Sequence, residues 1–169
     1  MATITLQKAR AVKTISGNSP QVMMFPEAAS QAFKTGEFVY LVGGKVTEVG
    51  SDPTVILGMA AQDASGTTDT SIAVYIANED TIFELNKVSN QGGAGTGGTA
   101  AVTAVTDVGL TANIYRDTTN NISHAGIYAF GGVERLMILD HSEKDAVGDT
   151  GGRLLCMVHG RYRQLFSTS

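Results

Sequence analysis

The sequence lacks tryptophan, has a single cysteine among its 169 residues, and carries charge on only 17% of them. The one cysteine, Cys156, excludes an intramolecular disulfide, and its place in the apolar run at residues 154–158 predicts a buried thiol. No run approaches the roughly 20 apolar residues that a membrane-spanning helix needs, and the first residues lack the pattern of a signal peptide. We therefore expect no membrane association, and synthesis and folding in a cytoplasm.

Residue patterns typical of catalysis or metal binding are also lacking. The histidines, His124, His141 and His159, lie far apart, and none has the spacing of a zinc-binding motif. Residues 140–149 form a polar cluster around Asp140 and His141, but their acidic residues do not follow the ligand spacing of a calcium loop. We interpret this cluster as a solvated loop, and we predict that the chain is not an enzyme and holds no metal or cofactor.

Glycine, in contrast, is abundant, with 20 residues, and is most concentrated at residues 91–98. Gly93, Gly95 and Gly98 have the spacing of a dinucleotide-binding motif, but a stretch that favours strand follows where that motif needs a helix. A phosphate-binding loop would need lysine at the position of Gly98. We predict a flexible linking loop, with a loop that becomes ordered on contact with a partner as the alternative.

The net charge of −4 is unevenly distributed along the chain. Residues 1–26 and residues 150–169 each have a net charge of +3 and no acidic residue, whereas residues 27–149 hold all 16 acidic residues and have a net charge of −10. Because the acidic middle would repel a phosphate backbone, we expect no nucleic-acid partner. The basic ends either pack on the body of the same chain or reach an acidic neighbour as arms. In the second interpretation, residues 1–13 are needed for partner binding but not for folding.

The alternation of apolar and polar residues predicts mostly β-structure. Residues 71–77 alternate with the period of a half-buried strand. Residues 37–42 and 45–49 are separated by Gly43 and Gly44, which predicts a tight hairpin. Further strands are predicted at residues 55–61, 81–85, 111–115, 133–140 and 153–159.

The remaining segments predict turns, loops and little helix. Gly58 marks a bulge or a close approach of two backbones. We expect a turn at residues 117–121, a mobile loop at 143–152, and two turns of helix at 26–33. Residues 3–15 favour an extended arm, with a helix over 7–13 as the alternative.

Short strands with frequent turn signals are typical of a small barrel or sandwich. We therefore predict a mainly β fold, a small β-barrel or sandwich with an extended N-terminal arm at residues 1–26. Residues 27–169 form a single β-rich domain that contains the flexible loop at 91–98. A chain of this length buries enough surface to fold without a disulfide or a metal.

Four segments of the first half also carry a family resemblance. Residues 36–40, 43–46, 56–60 and 72–76 read GEFVY, GGKV, ILGMA and IAVYI, and a polar arm precedes them. This succession resembles the capsid decoration proteins, also called cement or head-stabilising proteins, of tailed bacteriophages. The resemblance covers residues 36–85 and extends to the remainder only in style.

The resemblance implies a structural role on a virus head. Such proteins are small, β-rich and β-tulip-like, and form homotrimers on the outside of the expanded capsid, where they stabilise contacts between major capsid subunits. For this chain it implies a location on the virion exterior after synthesis in the host cytoplasm. It also implies that the N-terminal arm binds the capsid, in part by adding a strand to a subunit sheet. The arm residues concerned are Thr3, Ile4, Thr5, Leu6, Gln7, Lys8, Arg10 and Lys13.

Two other classes of function stay open, and the first of them would have the same composition. A component of a phage tail, baseplate or head fibre is one alternative. Copurification with tails or with heads would distinguish it from a capsid protein. A carbohydrate-binding or hydrolytic β-domain would need a rim of exposed aromatic residues or a pair of carboxylates, which the sequence does not indicate.

Overall fold

The computed structural model describes residues 1–50, 53–90, 93–127 and 134–166. In them, strands predominate, and helix is limited to two 3₁₀ turns at Val105–Asp107 and Gly160–Tyr162. The strands are β1 (Arg10–Thr14), β2 (Val22–Pro26), β3 (Phe38–Val42), β4 (Lys45–Glu48), β5 (Gly58–Ala60), β6 (Ser71–Ile76), β7 (Thr81–Val88), β8 (Gly93–Gly95), β9 (Thr111–Asp117), β10 (Ile122–Gly126), β11 (Leu136–His141) and β12 (Arg153–Val158). The predicted mainly β fold with little helix is confirmed.

Five strands close into a barrel in the order β7, β10, β9, β11 and β12, with β12 pairing again with β7. All of these pairs are antiparallel except β7 with β10, which is parallel. Strand β1 pairs with the first half of β7, and β8 pairs with β9. Closure satisfies the main-chain groups that an open sheet would expose at its edges, which is why a small barrel is a stable solution for short strands.

The other strands form an antiparallel sheet in the order β2, β6, β5, β3 and β4. The hairpin between β3 and β4 turns at Gly43 and Gly44, both of which have positive φ, and this confirms the predicted tight hairpin. Strand β6 confirms the predicted alternation, because Ile72, Val74 and Ile76 are all fully buried.

The period of two along each strand produces two hydrophobic cores. In β3, Phe38 faces the core inside the barrel, and Val39 faces the second core on the opposite side of the sheet. Phe38 packs edge to face on Phe83 of β7, with ring centroids 5.4 Å apart. The sheet therefore covers the barrel with one face and buries a separate core with the other. Cys156 lies in the barrel core, and burial raises the pKa of its thiol, so the predicted buried cysteine is confirmed.

The first 26 residues are paired with the rest of the chain. Strand β1 belongs to the sheet of the barrel, β2 to the second sheet, and Ala9 contributes to the barrel core. Residues 3–15 are extended, as preferred from the sequence, and contain no helix. Deleting residues 1–13 would remove β1 and a core residue, so substitutions of exposed residues are the better test of an arm.

The helix predicted at residues 26–33 is wrong. Pro26 ends strand β2, and Glu27 then forms a parallel bridge with Val46. The buried Glu27 carboxylate accepts hydrogen bonds from the main chain of Ser65 and Gly66 at 2.9 and 2.7 Å. These long-range contacts determine the conformation where local propensity favoured a helix.

The other predicted strands are present with shifted ends. Strand β7 runs to Val88, beyond the predicted end at residue 85, and β5 covers only the last part of the predicted segment 55–61. Strand β10 was not predicted, and it forms a hairpin with β9 across the predicted turn at 117–121. Val133, at the start of one predicted strand, and residues 91–92 of the glycine-rich loop lie outside the described residues.

Gly58 is a position where two backbones approach closely. A Cβ atom there would overlap the main-chain oxygen of Tyr75 on the paired strand β6. We expect Gly58→Ala to lower the free energy of unfolding by about 1–3 kcal/mol, because β5 and β6 would have to separate. Gly50→Ala is the control, since a Cβ at Gly50 meets open space. Urea denaturation of both variants measures the difference, and equal midpoints would show that the close approach carries no cost.

Candidate functional site: the N-terminal strip

The N-terminal strip, residues 2–14, begins with main-chain hydrogen bonds to the loop before β12. The amide of Ile4 donates to the carbonyl of Thr150 at 2.8 Å, and the amide of Thr150 donates to the carbonyl of Ala2 at 2.9 Å. The amide of Ala2 donates to Oδ1 of Asp149 at 2.7 Å. The strip therefore starts as a parallel pairing that fixes its path across the barrel surface.

The middle of the strip is held by a buried asparagine of β7. Oδ1 of Asn86 accepts from the amide of Gln7 at 2.7 Å, while its Nδ2 donates to the carbonyl of Gly151 at 2.7 Å. Further along the strip, the backbones of Ala9 and Gly36 approach closely. A Cβ atom at Gly36 would overlap the carbonyl oxygen of the buried Ala9. The side-chain amide of Asn86 thus replaces strand pairing at the point where the strip crosses the barrel.

The end of the strip is held by Glu84, which is 4% exposed. Its carboxylate accepts from Nε of Arg10 at 2.7 Å and from Oγ of Ser142 at 2.6 Å, and Nζ of Lys144 lies 3.4 Å away. Burial alone would raise the pKa of Glu84, but these hydrogen bonds and the charges of Arg10 and Lys144 outweigh it and lower that pKa. Glu84 is therefore a buried anion that holds the strip and the loop after β11 together.

The structure brings the predicted arm residues into one continuous strip with two environments. Ile4 and Leu6 are partly buried, and a Cβ atom at Gly151 would lie 2.9 Å from the carbonyl of Ile4 and 3.3 Å from Leu6. The exposed members are Thr3, Thr5, Gln7, Lys8, Arg10 and Lys13. The strip thus presents polar and basic side chains to solvent from a fixed backbone.

Lys144 lies on the basic side of this strip, although no sequence pattern groups it with the N-terminus. Lys13, Lys144 and Glu84 line the same shallow cavity of about 180 Å³. Neither Lys8 nor Lys13 has an ion-pair partner within the ranges that the structure describes. The missed signal was Glu84 itself, a lone acid between two apolar residues of a predicted strand.

The polar cluster at residues 140–149 is divided among separate partners. Asp145 forms a two-point ion pair with Arg153, with distances of 2.7 and 2.6 Å, and this hydrogen bonding lowers the pKa of Asp145. Asp149 binds Ala2, and Nε2 of His141 lies 3.0 Å from the carbonyl of Ala104. Among the described residues, no group of three or more His, Cys, Asp or Glu could hold a metal ion. These bonds tie the predicted loop at 143–152 to its neighbours.

The described part of the glycine-rich segment is bound to the barrel. Gly93–Gly95 forms strand β8 on β9, and the amide of Gly97 donates to Oδ1 of Asp117 at 3.0 Å. The hydroxyl of Tyr115 donates to the carbonyl of Gly97 at 3.1 Å. Residues 93–95 thus pair with β9 as a strand and Gly97 is bound by two side chains of β9, whereas the sequence predicted a flexible linking loop.

His124 lies beneath this segment and is fully buried, with a Cβ atom at Gly98 expected 3.0 Å from its Nε2. Neither ring nitrogen has a hydrogen-bond partner among the described residues. Burial lowers the pKa of His124 to about 4, opposed by the charge of Asp117. The ring is therefore held neutral at pH 7.

A second exposed surface is apolar. We call Val105, Val108, Leu110 and Met137 the apolar patch; their side chains are between 38% and 75% exposed. Leu110 lies near Met137 because the amide of Ile138 donates to the carbonyl of Leu110 and Met137 pairs with Thr111, and Val105 and Val108 lie in the turn that precedes Leu110. Grouped apolar side chains on a surface mark sites of protein contact.

Comparisons with known proteins identify no relative: no protein-family model matches this chain, and no curated protein matches its sequence. A search of the described residues for a helix long and apolar enough to cross a membrane finds none.

His124 makes stability depend on pH. The pKa of His124 is lower in the folded than in the unfolded state, so the unfolded state takes up a proton first as the pH falls. The contribution of His124 to stability is therefore complete above about pH 6.5 and is lost as the pH falls towards 4. We expect this group to lower the free energy of unfolding by about 3 kcal/mol between those values. His124→Leu should remove that part of the pH dependence in urea denaturation series. If the free energy of unfolding changed with pH in the same way for wild type and His124→Leu, the lowered pKa of His124 would be contradicted.

Glu84→Gln tests the buried anion. We expect the free energy of unfolding at pH 7 to fall by about 1–3 kcal/mol, because hydrogen bonds from charged donors are lost. Since the pKa of Glu84 is lowered in the folded state, the difference from wild type should disappear in acid as the carboxylate takes up a proton. Asp69→Asn, which removes the exposed ion pair with Lys45, is the control and should change stability by less than about 1 kcal/mol. Equal effects would mean that Glu84 behaves as a surface charge.

Proposed function

We propose that this chain is a structural protein that binds the outside of a phage head and stabilises contacts between major capsid subunits. The observation that supports this proposal is the N-terminal strip, which presents exposed polar and basic side chains from a backbone already fixed on the barrel. A surface whose backbone is ordered before binding loses less conformational entropy on contact, which favours affinity. The partner and the virion location come from the family resemblance.

The charges of the strip suit an acidic partner surface. Lys8 and Lys13 are exposed, and Arg10 is half-exposed although it binds Glu84. Such a row of cations accelerates encounter with an acidic surface and helps to set the register of the contact. Modest contacts suffice for this role, because many copies bind a repeating lattice.

The apolar patch offers a second contact surface. It suits either a neighbouring copy of the chain in the trimer that the resemblance implies, or a less polar part of a capsid subunit. Two surfaces of different character, one basic and one apolar, are what a protein needs in order to join two neighbours.

The double variant Lys8→Glu and Lys13→Glu tests the strip. With purified expanded heads and low salt, we expect binding to weaken at least about tenfold, because two cations become anions at the contact. The matched control is Lys34→Glu with Lys45→Glu, which makes the same change of charge at strand β4 and in the loop before β3. Cosedimentation with heads measures binding, and electron microscopy locates the added density.

Three results would count against the proposal. They are a wild-type protein that does not cosediment with heads at any salt concentration, a control that loses binding as much as the strip variant, and a protein that copurifies with tails. The last of these would support a tail or baseplate component.

A further inference from the structure

Residues 93–99, which we call the glycine flap, cover the buried ring of His124. A Cβ atom at Gly98 would lie 2.9 Å from Cδ2 and 3.0 Å from Nε2 of that ring, so only glycine fits at this position without a shift. The same Cβ atom would lie 3.1 Å from Cδ1 of Leu6 in the N-terminal strip. The flap and the strip therefore meet over one side chain of β10.

His124 occupies its site at a cost in free energy. The ring is fully buried, and both of its nitrogens lack a hydrogen-bond partner among the described residues. Most buried polar side chains have at least one partner, because a buried polar atom without one loses the hydrogen bonds that water would give it. An apolar side chain of similar size would fill the same space without that cost. A polar residue that breaks this rule indicates a role other than packing.

The glycine flap is held to the barrel mainly by hydrogen bonds. Gly93–Gly95 pairs with β9, the amide of Gly97 donates to Asp117 at 3.0 Å, and the amide of Thr118 donates to the carbonyl of Gly95 at 2.9 Å. The side chains of the flap that are larger than hydrogen are all exposed, namely those of Ala94, Thr96 and Thr99. A segment that buries few apolar atoms opens at a lower free energy than a packed core. The flap can therefore open while the barrel stays closed.

The charged group that acts on the ring is Asp117 of β9, whose negative charge favours the protonated form of His124. Tyr115, directly opposite His124 on β9, uses its hydroxyl to bind the carbonyl of Gly97. From above, the flap contributes no titratable side chain, and Leu6 is apolar. A proton on His124 would thus lie near one carboxylate that already holds the flap.

The neighbouring strands supply no further charge to the ring. In the parallel pairing of β10 with β7, Ala125 lies opposite Lys87, so His124 precedes this pair at the level of the uncharged Asn86. Beyond Asn86, Arg153 of β12 is paired with Asp145. Under the closed flap, a positively charged ring would therefore be buried without a hydrogen-bond acceptor among the described residues.

The pKa of His124 relates this burial to the opening of the flap. Burial lowers that pKa from 6.5 to about 4. If the ring takes up its proton only when it is exposed, this difference corresponds to an open flap in about one molecule in 300 at neutral pH. As the pH falls below 4, the open form becomes the major one.

We propose that the glycine flap is a cover that acid releases. When His124 gains a proton, the flap separates from β9, the ring turns towards solvent, and Leu6 loses its contact with Gly98. Acid thereby loosens the N-terminal strip, the surface that we associate with partner binding. The release itself needs no partner, so it goes beyond the proposed function and is tested on the free protein.

Amide exchange measured by NMR between pH 7 and pH 3.5 tests this proposal. We expect the protection factors of the Gly97 and Thr118 amides to fall at least about tenfold over this range. The amides of β12 should keep their protection, because the barrel stays closed. The methyl signals of Leu6 should shift with the same pH midpoint as the ring signals of His124.

Two variants act on the cover in opposite directions. His124→Leu fills the site with an apolar side chain, so the flap should stay protected over the whole pH range. Gly98→Ala places a Cβ atom against the ring, so the protection of Gly97 should already be lost at pH 7, and the pKa of His124 should rise towards its usual value. Gly50→Ala is the control for an added methyl group, because a Cβ atom there meets open space.

Three results would overturn the proposal. The first is a wild-type flap that keeps its protection at pH 3.5. The second is loss of protection in β12 at the same pH as in the flap, which would mean that the whole domain unfolds. The third is release of the flap in His124→Leu at the same pH as in wild type.

Discussion

The buried polar side chains of strand β7 are the constraint on which the rest of the structure depends. All eight residues of β7 are buried, including Glu84, Asn86 and Lys87. A buried polar group without a hydrogen-bond partner costs free energy, and a buried charge costs more. The strand that closes the barrel is therefore stable only if other segments supply partners for these three side chains.

Each of the three side chains obtains its partners from other segments of the chain. Glu84 binds Arg10 of the strip and Ser142 after β11, and Asn86 binds the main chain at both Gln7 and Gly151. Lys87 contacts both carboxylate oxygens of Asp107 at 2.8 Å, which holds the turn beside the apolar patch. Both exposed surfaces that we associate with binding are thus positioned by the same strand. The hydrogen bonds that satisfy the buried polar side chains of β7 are therefore the same bonds that hold the two surfaces in place.

Local patterns in the sequence predicted the parts of the fold that depend on local chemistry. Gly43 and Gly44 predict a hairpin because only their positive φ angles allow the tight turn, and the alternation at residues 71–77 predicts a strand with one buried face. The helix at 26–33 was wrong because Pro26 also suits the end of an edge strand, and the partners of Glu27 lie 38 and 39 residues away. Strand β10 was missed because His124 and Gly126 interrupt its apolar pattern, although both are buried. The site was predicted only in part, since the arm residues are adjacent in sequence but Glu84, Asn86 and Lys144 come together only through folding.

The N-terminal strip is a fixed part of the barrel surface before any partner binds. Hydrogen–deuterium exchange of the free protein at residues 2–14 measures this directly. The structure predicts that the amides of Ile4, Gln7 and strand β1 exchange slowly, with opening free energies close to that of β7. Exchange of these amides at the rate of an unstructured chain, beside a protected barrel, would contradict the account.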